Sequence, residues 1–301
     1  MPDLDDIRAF TEVVDSGSLS RAGSRLGMSK SMISRRLSRL EAELGAPLLA
    51  RTTRGMSLTE AGQDFRPFAE RMVADLQSAR DALSRQGEAT GRLRLAAPLS
   101  FGNSHLAPVL AELAVRHPKL EISASYSDRL VDLVGEGFDA AVRLGNLVDS
   151  SLIARRISAM RAVMVASPAY LAEAGTPETP DDLARHAVIP HGDTVWQFQR
   201  GGKTYTFRPR GRFTADSGRA ELAGVVAGLG IAAMPAFLAI PAIRSGDIVS
   251  LLDDYEIPAA GLYIVRPPPP EPLPMKIKAL TDIIVEKFGR DDWDGCVRRP
   301  G

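Results

Sequence analysis

Apolar residues in the first part of the chain recur at steps of three and four. Leu4, Ile7, Phe10 and Val14 predict a first helix, with Asp3 placed to cap it and Gly17 to stop it. Ser18 would cap a second, short helix whose Leu19, Ala22 and Leu26 share a face before Gly27. After the brief turn Met28-Ser29, Ile33, Leu37, Leu40 and Leu44 form the apolar stripe of a third helix ending at Gly45. Thr59 would cap a much longer helix over 60–87. Its seam of Ala61, Phe65, Phe68, Met72, Leu76, Ala79 and Leu83 is narrow enough for a two-helix coil about 40 Å long. Packing against its own chain is the competing expectation. Pro67 predicts a bend near Asp64 or a displaced helix start.

Beyond a hinge at Gly87–Gly91 the period alternates between that of strands and that of helices. Strands are expected at Leu93–Ala97, Glu121–Tyr126, Ala140–Leu144, Ala162–Ala166, Phe213–Ala215, Ile231–Met234 and Leu262–Arg266. Helices are expected at Asn103–His117, Arg129–Gly135, Pro168–Ala174, Gly218–Gly228 and Met275–Phe288. This alternation predicts an α/β sandwich with helices over a mixed sheet.

Composition changes this picture little. The 301 residues suit two or three domains, and 45% hydrophobic with 25% charged content is ordinary for a protein with a packed core. No apolar run is long enough to span a bilayer, and the acidic start Met1-Pro2-Asp3-Leu4-Asp5-Asp6 lacks a secretory core, so a cytoplasmic location is expected. One cysteine, Cys296, excludes an internal disulfide framework.

Charge distribution matters more. The total is zero, yet between Ser16 and Leu40 stand Arg21, Arg25, Lys30, Arg35, Arg36 and Arg39 and no acid. Two helices joined by so short a turn, the second amphipathic and basic outside, form a helix-turn-helix. Its outer face offers side-chain donors to a DNA major groove: Ser29, Lys30, Ser31, Ser34 and Arg35 for bases or phosphates, Arg36 and Arg39 for phosphates. Two short runs flanking Thr53-Arg54-Gly55 predict a hairpin wing, with Arg51, Thr52 and Arg54 near the DNA backbone or minor groove.

The run from Leu26 to Arg35, then Leu40-Glu41-Ala42-Glu43-Leu44-Gly45 and Leu58-Thr59-Glu60-Ala61-Gly62, resembles LysR-type transcriptional regulators. Gly23 departs from that family's usual alanine and should weaken the second helix by roughly 1 kcal/mol. Leu49 replaces a phenylalanine and Lys30 a glutamine. The resemblance implies an all-α winged helix-turn-helix over 1–59, a dimerisation helix over 60–87 and a two-lobed α/β effector domain over 92–301 resembling periplasmic binding proteins. Lobe one would hold 92–160 and 268–301, lobe two 161–267, with the run Pro267 to Pro274 as the return crossover. Partners implied are promoter DNA, a small-molecule effector (a carboxylate being one candidate), RNA polymerase, and further copies of the chain as a dimer or dimer of dimers.

Ligands of open α/β folds sit where strands end and helices begin. The effector is therefore expected at Ser100, Phe101, Asn103, Ser127 and Arg143 of one lobe, and the family resemblance implies Trp196, Phe198, Asp216, Ser217 and Ile231 of the other. No catalytic, metal or cofactor site is expected. The four histidines lack metal spacing and no Gly-x-Ser-x-Gly occurs. Gly135–Ala140 and Gly228–Ala233 satisfy a relaxed dinucleotide pattern, but each precedes a strand, the reverse of what phosphate binding needs. Two other readings are a solute-binding protein or enzyme on the same lobed fold, and a DNA-binding protein without a ligand. The basic head opposes the first, and a 200-residue α/β domain is more than the second needs.

Overall fold

A computed structural model of the chain describes residues 2–52, 55–83, 88–147, 150–268, 273–290 and 293–294. Three helices open it: α1 (Leu4–Ser16), α2 (Leu19–Leu26) and α3 (Lys30–Leu44). The Asp3 carboxylate accepts from Asp5 N at 3.0 Å, and the Ser29 hydroxyl from Met32 N at 3.2 Å. Ser18 stands at the start of α2 but makes no side-chain cap. Gly27 ends α2 with φ +66°, a left-handed turn that aims the chain into α3. Ile7, Phe10, Val13, Ala22, Ile33, Leu37 and Leu40 meet in one core.

Strands β1 (Leu49–Thr52) and β2 (Gly55–Leu58) pair antiparallel as a wing. The Glu41 carboxylate at the end of α3 accepts from Leu48 N at 2.8 Å and Leu49 N at 3.1 Å, tying the wing to that helix. Helix α4 runs from Glu60 to Leu83. The Thr59 hydroxyl donates to Pro47 O at 2.6 Å and accepts from Gly62 N at 3.0 Å. The helix continues through Pro67, so the start is not displaced. Its Ala61, Phe65, Ala69 and Val73 face the head's core, whereas Phe68 and Met72 are exposed.

The second part opens with β3 (Gly91–Ala97). Then come α5 (Leu99–Phe101), a π-type turn over Gly102–Leu106 and α6 (Ala107–Arg116), one wound segment where a single helix was expected. Strands β4 (Leu120–Tyr126), β5 (Ala140–Gly145) and β6 (Ile153–Met160) follow. After them come β7 (Ala162–Ala166), α7 (Pro168–Ala174) and a 3-10 turn over Pro180–Arg185. A hairpin of β8 (Trp196–Arg200) and β9 (Lys203–Phe207) precedes α8 (Gly218–Val226), β10 (Ala232–Pro235), α9 (Ala236–Ser245) and β11 (Val249–Leu251). Strand β12 (Ala260–Arg266) and α10 (Met275–Phe288) end the fold.

Two sheets divide these elements. The larger has the order β4-β3-β5-β12-β6, with β3 parallel to β4 and β5, and β12 antiparallel to β5 and β6. The smaller has the order β10-β7-β11. The chain changes lobe between Met160 and Ala162. It returns before Ala260, because β12 fills the slot between β5 and β6 of the first sheet. The expected lobe boundary at 267, and with it the polyproline crossover, is therefore corrected. The prolines lie after the return; Pro269 to Pro272 fall outside the described residues.

Other expectations also change. Residues 129–135 form turns instead of a helix. The Asp132 carboxylate accepts from Val134 N and Gly135 N, at 3.1 and 3.0 Å, which competes with helical bonding. Phe213–Ala215 is no strand; Ala215 makes a single bridge to His191. Strands β6, β8, β9 and β11 and helix α9 were not anticipated. The β8–β9 hairpin was legible: Trp196 and Phe198 alternate with glutamines, Tyr205 and Phe207 with threonine, around Gly201-Gly202.

Candidate functional site

Helix α3 lies across the head with Ile33, Leu37 and Leu40 buried and Lys30, Ser31, Arg35 and Ser38 exposed; Ser34 is half-buried. Ser29 caps the helix and its hydroxyl also meets that of Ser31 at 2.9 Å. The basic patch is not uniform. Arg36 bonds Asp6 at 2.9 Å and Asp5 at 3.2 Å; Arg39 reaches Asp6 through two nitrogens, at 2.5 and 2.7 Å, and Asp3 at 3.1 Å. Arg25 pairs with Glu12 at 2.8 Å. Burial alone would raise the Asp6 pKa, but the Arg39 and Arg36 bonds overcome it and hold the carboxyl below the ordinary value. Arg36 and Arg39, expected at phosphates, are in this structure bonded to the acidic start of α1 and hold α3 against it. Lys30 and Arg35 make no ion pair among the described residues. Arg51 and Thr52 lie on β1, and Arg54 falls outside the described residues.

Between the lobes, the end of β3 leads into α5. The Ser100 hydroxyl there is buried and has no hydrogen-bond partner among the described residues. A Cβ placed on Gly218, the first residue of α8, would stand 3.8 Å from that oxygen, so the helix start of one lobe meets Ser100 of the other. The N–H groups of a helix's first turn have no intrahelical partners, and at α8 Ser217 supplies no side-chain cap for them. Such a helix start favours an anion.

Asn103 is exposed, and the Ser127 hydroxyl accepts from Arg129 N at 3.3 Å. Tyr126 packs so closely on Gly102 that no Cβ would fit. Arg143 donates to Val131 O at 3.3 Å, and burial pushes its pKa down. Asp216 is exposed beside Ser217.

Four expected cleft residues are buried in packed cores. Trp196 and Phe198 are buried in the second lobe's core because the β8–β9 hairpin turns its aromatic face inward, and Ile231, bridged to Val188, is buried in the same core. Phe101 is fully buried, its ring 5.6 Å from that of Phe237.

The sequence reading missed the pair of His191 and Glu221. His191 Nδ1 lies 2.5 Å from Oε1 of Glu221, which is buried. The bond to Glu221 raises the His191 pKa against the effect of desolvation, and the charges of Glu221, Asp128 and Asp216 add to it. Asp128 belongs to the first lobe, where it accepts from Leu99 N at 2.8 Å. Glu221 sits one turn into α8, a spacing visible only once that helix's start is known. Among the described residues no group of His, Cys, Asp and Glu is arranged to hold a metal, and no helix is long and apolar enough to cross a membrane.

Comparison with known proteins finds two family models along the chain. Residues 4–63 match the bacterial regulatory helix-turn-helix protein, lysR family, and residues 86–289 the LysR substrate binding domain. The chain is 36% identical over 295 residues to the HTH-type transcriptional regulator PtxR of Pseudomonas aeruginosa, covering 96% of this chain and 94% of that one. It is 32% identical to the HTH-type transcriptional activator AaeR of Escherichia coli, with 95% of each covered. Among solved structures it is similar to CrgA, a LysR-type transcriptional regulator from Neisseria meningitidis (31% identity, TM-score 0.59, 95% and 99% covered). The full-length Vibrio cholerae virulence activator AphB is also similar (28% identity, TM-score 0.59, 94% and 99% covered). A basic winged head, a long helix and a two-lobed α/β domain in this order, matched along almost their whole length by transcriptional regulators, mean that the chain belongs to the LysR family of DNA-binding transcriptional regulators.

Proposed function

We propose that this regulator reads promoter DNA through the outer face of α3, pairs with a second copy through α4, and answers a small anionic effector held between its lobes. The observation that carries the DNA reading is the sorting of charge on the head. Arg25, Arg36 and Arg39 are paired with acids of α1, and Lys30 and Arg35 are left exposed to meet a groove. Ser31 and Ser34 lie beside them as hydroxyl donors and acceptors. Arg51, Thr52 and Arg54 of the wing would touch the adjacent backbone. The head ends at Thr59, and the dimer brings two heads to paired half-sites about one helical turn apart or a multiple of it. Exposed Phe68 and Met72 support pairing through α4.

The effector reading rests on the Ser100 hydroxyl, unpartnered among the described residues, beside the start of α8, where Ser217 makes no side-chain cap. A small carboxylate there would satisfy both and, with one partner on each lobe, its binding would bias the angle between them. Contact with RNA polymerase at the promoter and action in the cytoplasm complete the proposal.

Retardation of a fragment from the protein's own upstream region, at low salt, tests it. Wild type should retard the fragment, and Arg35→Ala should lose affinity by about 1–3 kcal/mol together with discrimination among sequences. No retardation by wild type, or an Arg35→Ala variant with unchanged affinity and salt slope, would sink the docking.

A further inference from the structure

A cavity of about 460 Å³ lies away from the interlobe cleft, where α4 passes the effector domain. One wall is α4 between Pro67 and Asp75. The other is the turn from Leu133 to Asp139, the end of β12 and the start of α10. Its volume falls in the range of small-molecule sites, and Leu133, Val134, Phe138, Leu273 and Ile277 give it an apolar lining.

The charges around it are unequally satisfied. Lys276 is buried and donates to Asp139 at 2.7 Å and to Arg92 O at 2.8 Å. Glu70 accepts from Arg66 at 2.8 Å and Arg94 at 2.5 Å. Those two acids are therefore occupied. Arg266, half-buried at the end of β12, donates one hydrogen bond, to Pro267 O at 3.3 Å, and has no ion pair among the described residues. A guanidinium carries five donors, and only one of them meets a protein acceptor among the described residues. Burial pushes its pKa down, as expected of a cation short of partners. Arg71 adds a second cation at the rim, 5.7 Å over the Phe68 ring, and exposed Asp75 is the opposing charge there.

We propose that this cavity is a second ligand site, taking a small amphipathic anion. An aromatic body would lie against Val134, Phe138 and Ile277, and its carboxylate or sulfonate would pair with Arg266. Linker helix and effector domain each supply one wall, so an occupant binds only the arrangement in which both are present and stabilises it. The regulator would then have two inputs, one between the lobes and one on the path from effector domain to head.

The test is a fluorescence titration of the full chain with 8-anilinonaphthalene-1-sulfonate, with thermal melts to show that each variant folds. Wild type should show one saturable site. Arg266→Gln should weaken it by about tenfold or more, the loss of a charged hydrogen bond. Val134→Trp, a substitution at a rim position 41% exposed, should fill the space and abolish binding. Ser100→Val, in the cleft, should leave the probe bound. The proposal falls if wild type shows no saturable site, if Arg266→Gln binds like wild type, or if Ser100→Val removes the probe. If Arg266→Gln does not fold, unchanged binding by Val134→Trp overturns it.

Discussion

At the scale of single residues, Gly23 separates what propensity says from what packing says. Glycine within a helix costs about 1 kcal/mol against alanine, so alanine here should be a gain on propensity alone. In the folded head a Cβ on Gly23 would lie 2.5 Å from Met28 O, in the turn where Met28 N bonds Gly23 O at 2.8 Å. A Cβ there would require the Met28 backbone to shift. Gly23→Ala is therefore expected to destabilise the protein by about 1–3 kcal/mol, read from its urea midpoint. An unchanged or raised midpoint would contradict the packing argument. His191 supplies a second residue-level prediction. Its pKa is raised above 6.5 by Glu221, so its stabilising contribution is fully present below that pH and fades as pH rises through the folded value. The midpoint difference between wild type and His191→Gln should shrink from about pH 5.5 to pH 8.5. A difference that stays constant would mean the pair does not titrate in that window.

At the scale of elements, α4 has two apolar faces with different fates. Phe65, Ala69 and Val73 pack on the head, with the Phe65 ring 5.5 Å from that of Phe10. Phe68 and Met72 are 56% and 44% exposed, far more than a helix buried on its own chain would leave. The expected seam held Phe65 together with Phe68 and Met72, and only their packing divides it. Phe68→Glu is expected to leave the head folded and shift the protein toward monomer in sedimentation. Phe65→Glu should instead unfold the head. Equal oligomer mass for wild type and Phe68→Glu would move the pairing surface elsewhere. The same logic explains the hairpin of β8 and β9. Its alternation was visible, but alternation states that one face is buried and not what covers it.

At the scale of the whole molecule, head, linker and effector domain are joined by a chain of ion pairs. Arg92 of β3 bonds Asp15 of α1; Asp15 lies 3.7 Å from Arg66 of α4; Arg66 bonds Glu70, and Glu70 bonds Arg94 of β3. Partly exposed pairs contribute about 0–1 kcal/mol each, so this network sets the arrangement of the parts more than their stability. Replacing Asp15 by Asn and Glu70 by Gln together should barely move the melting temperature yet enlarge the radius of gyration in solution scattering. An unchanged radius would show that packing alone holds the parts together.

The sequence by itself determined the three head helices, their stops, the capped start of α4 and the alternating α/β region, because caps and hydrophobic period act over a few residues. It could not decide which cations were free. Asp3, Asp5 and Asp6 are about thirty positions from Arg36 and Arg39, and the fold alone brings them together. Nor could it assign β12 to the first sheet, since a buried apolar strand reads alike in either lobe. The cleft followed the same rule. Ser100 was found as a strand-end residue, but its unpartnered hydroxyl, the approach of Gly218 and the inward turn of Trp196 and Phe198 depend on contacts distant in sequence, which tertiary packing alone specifies.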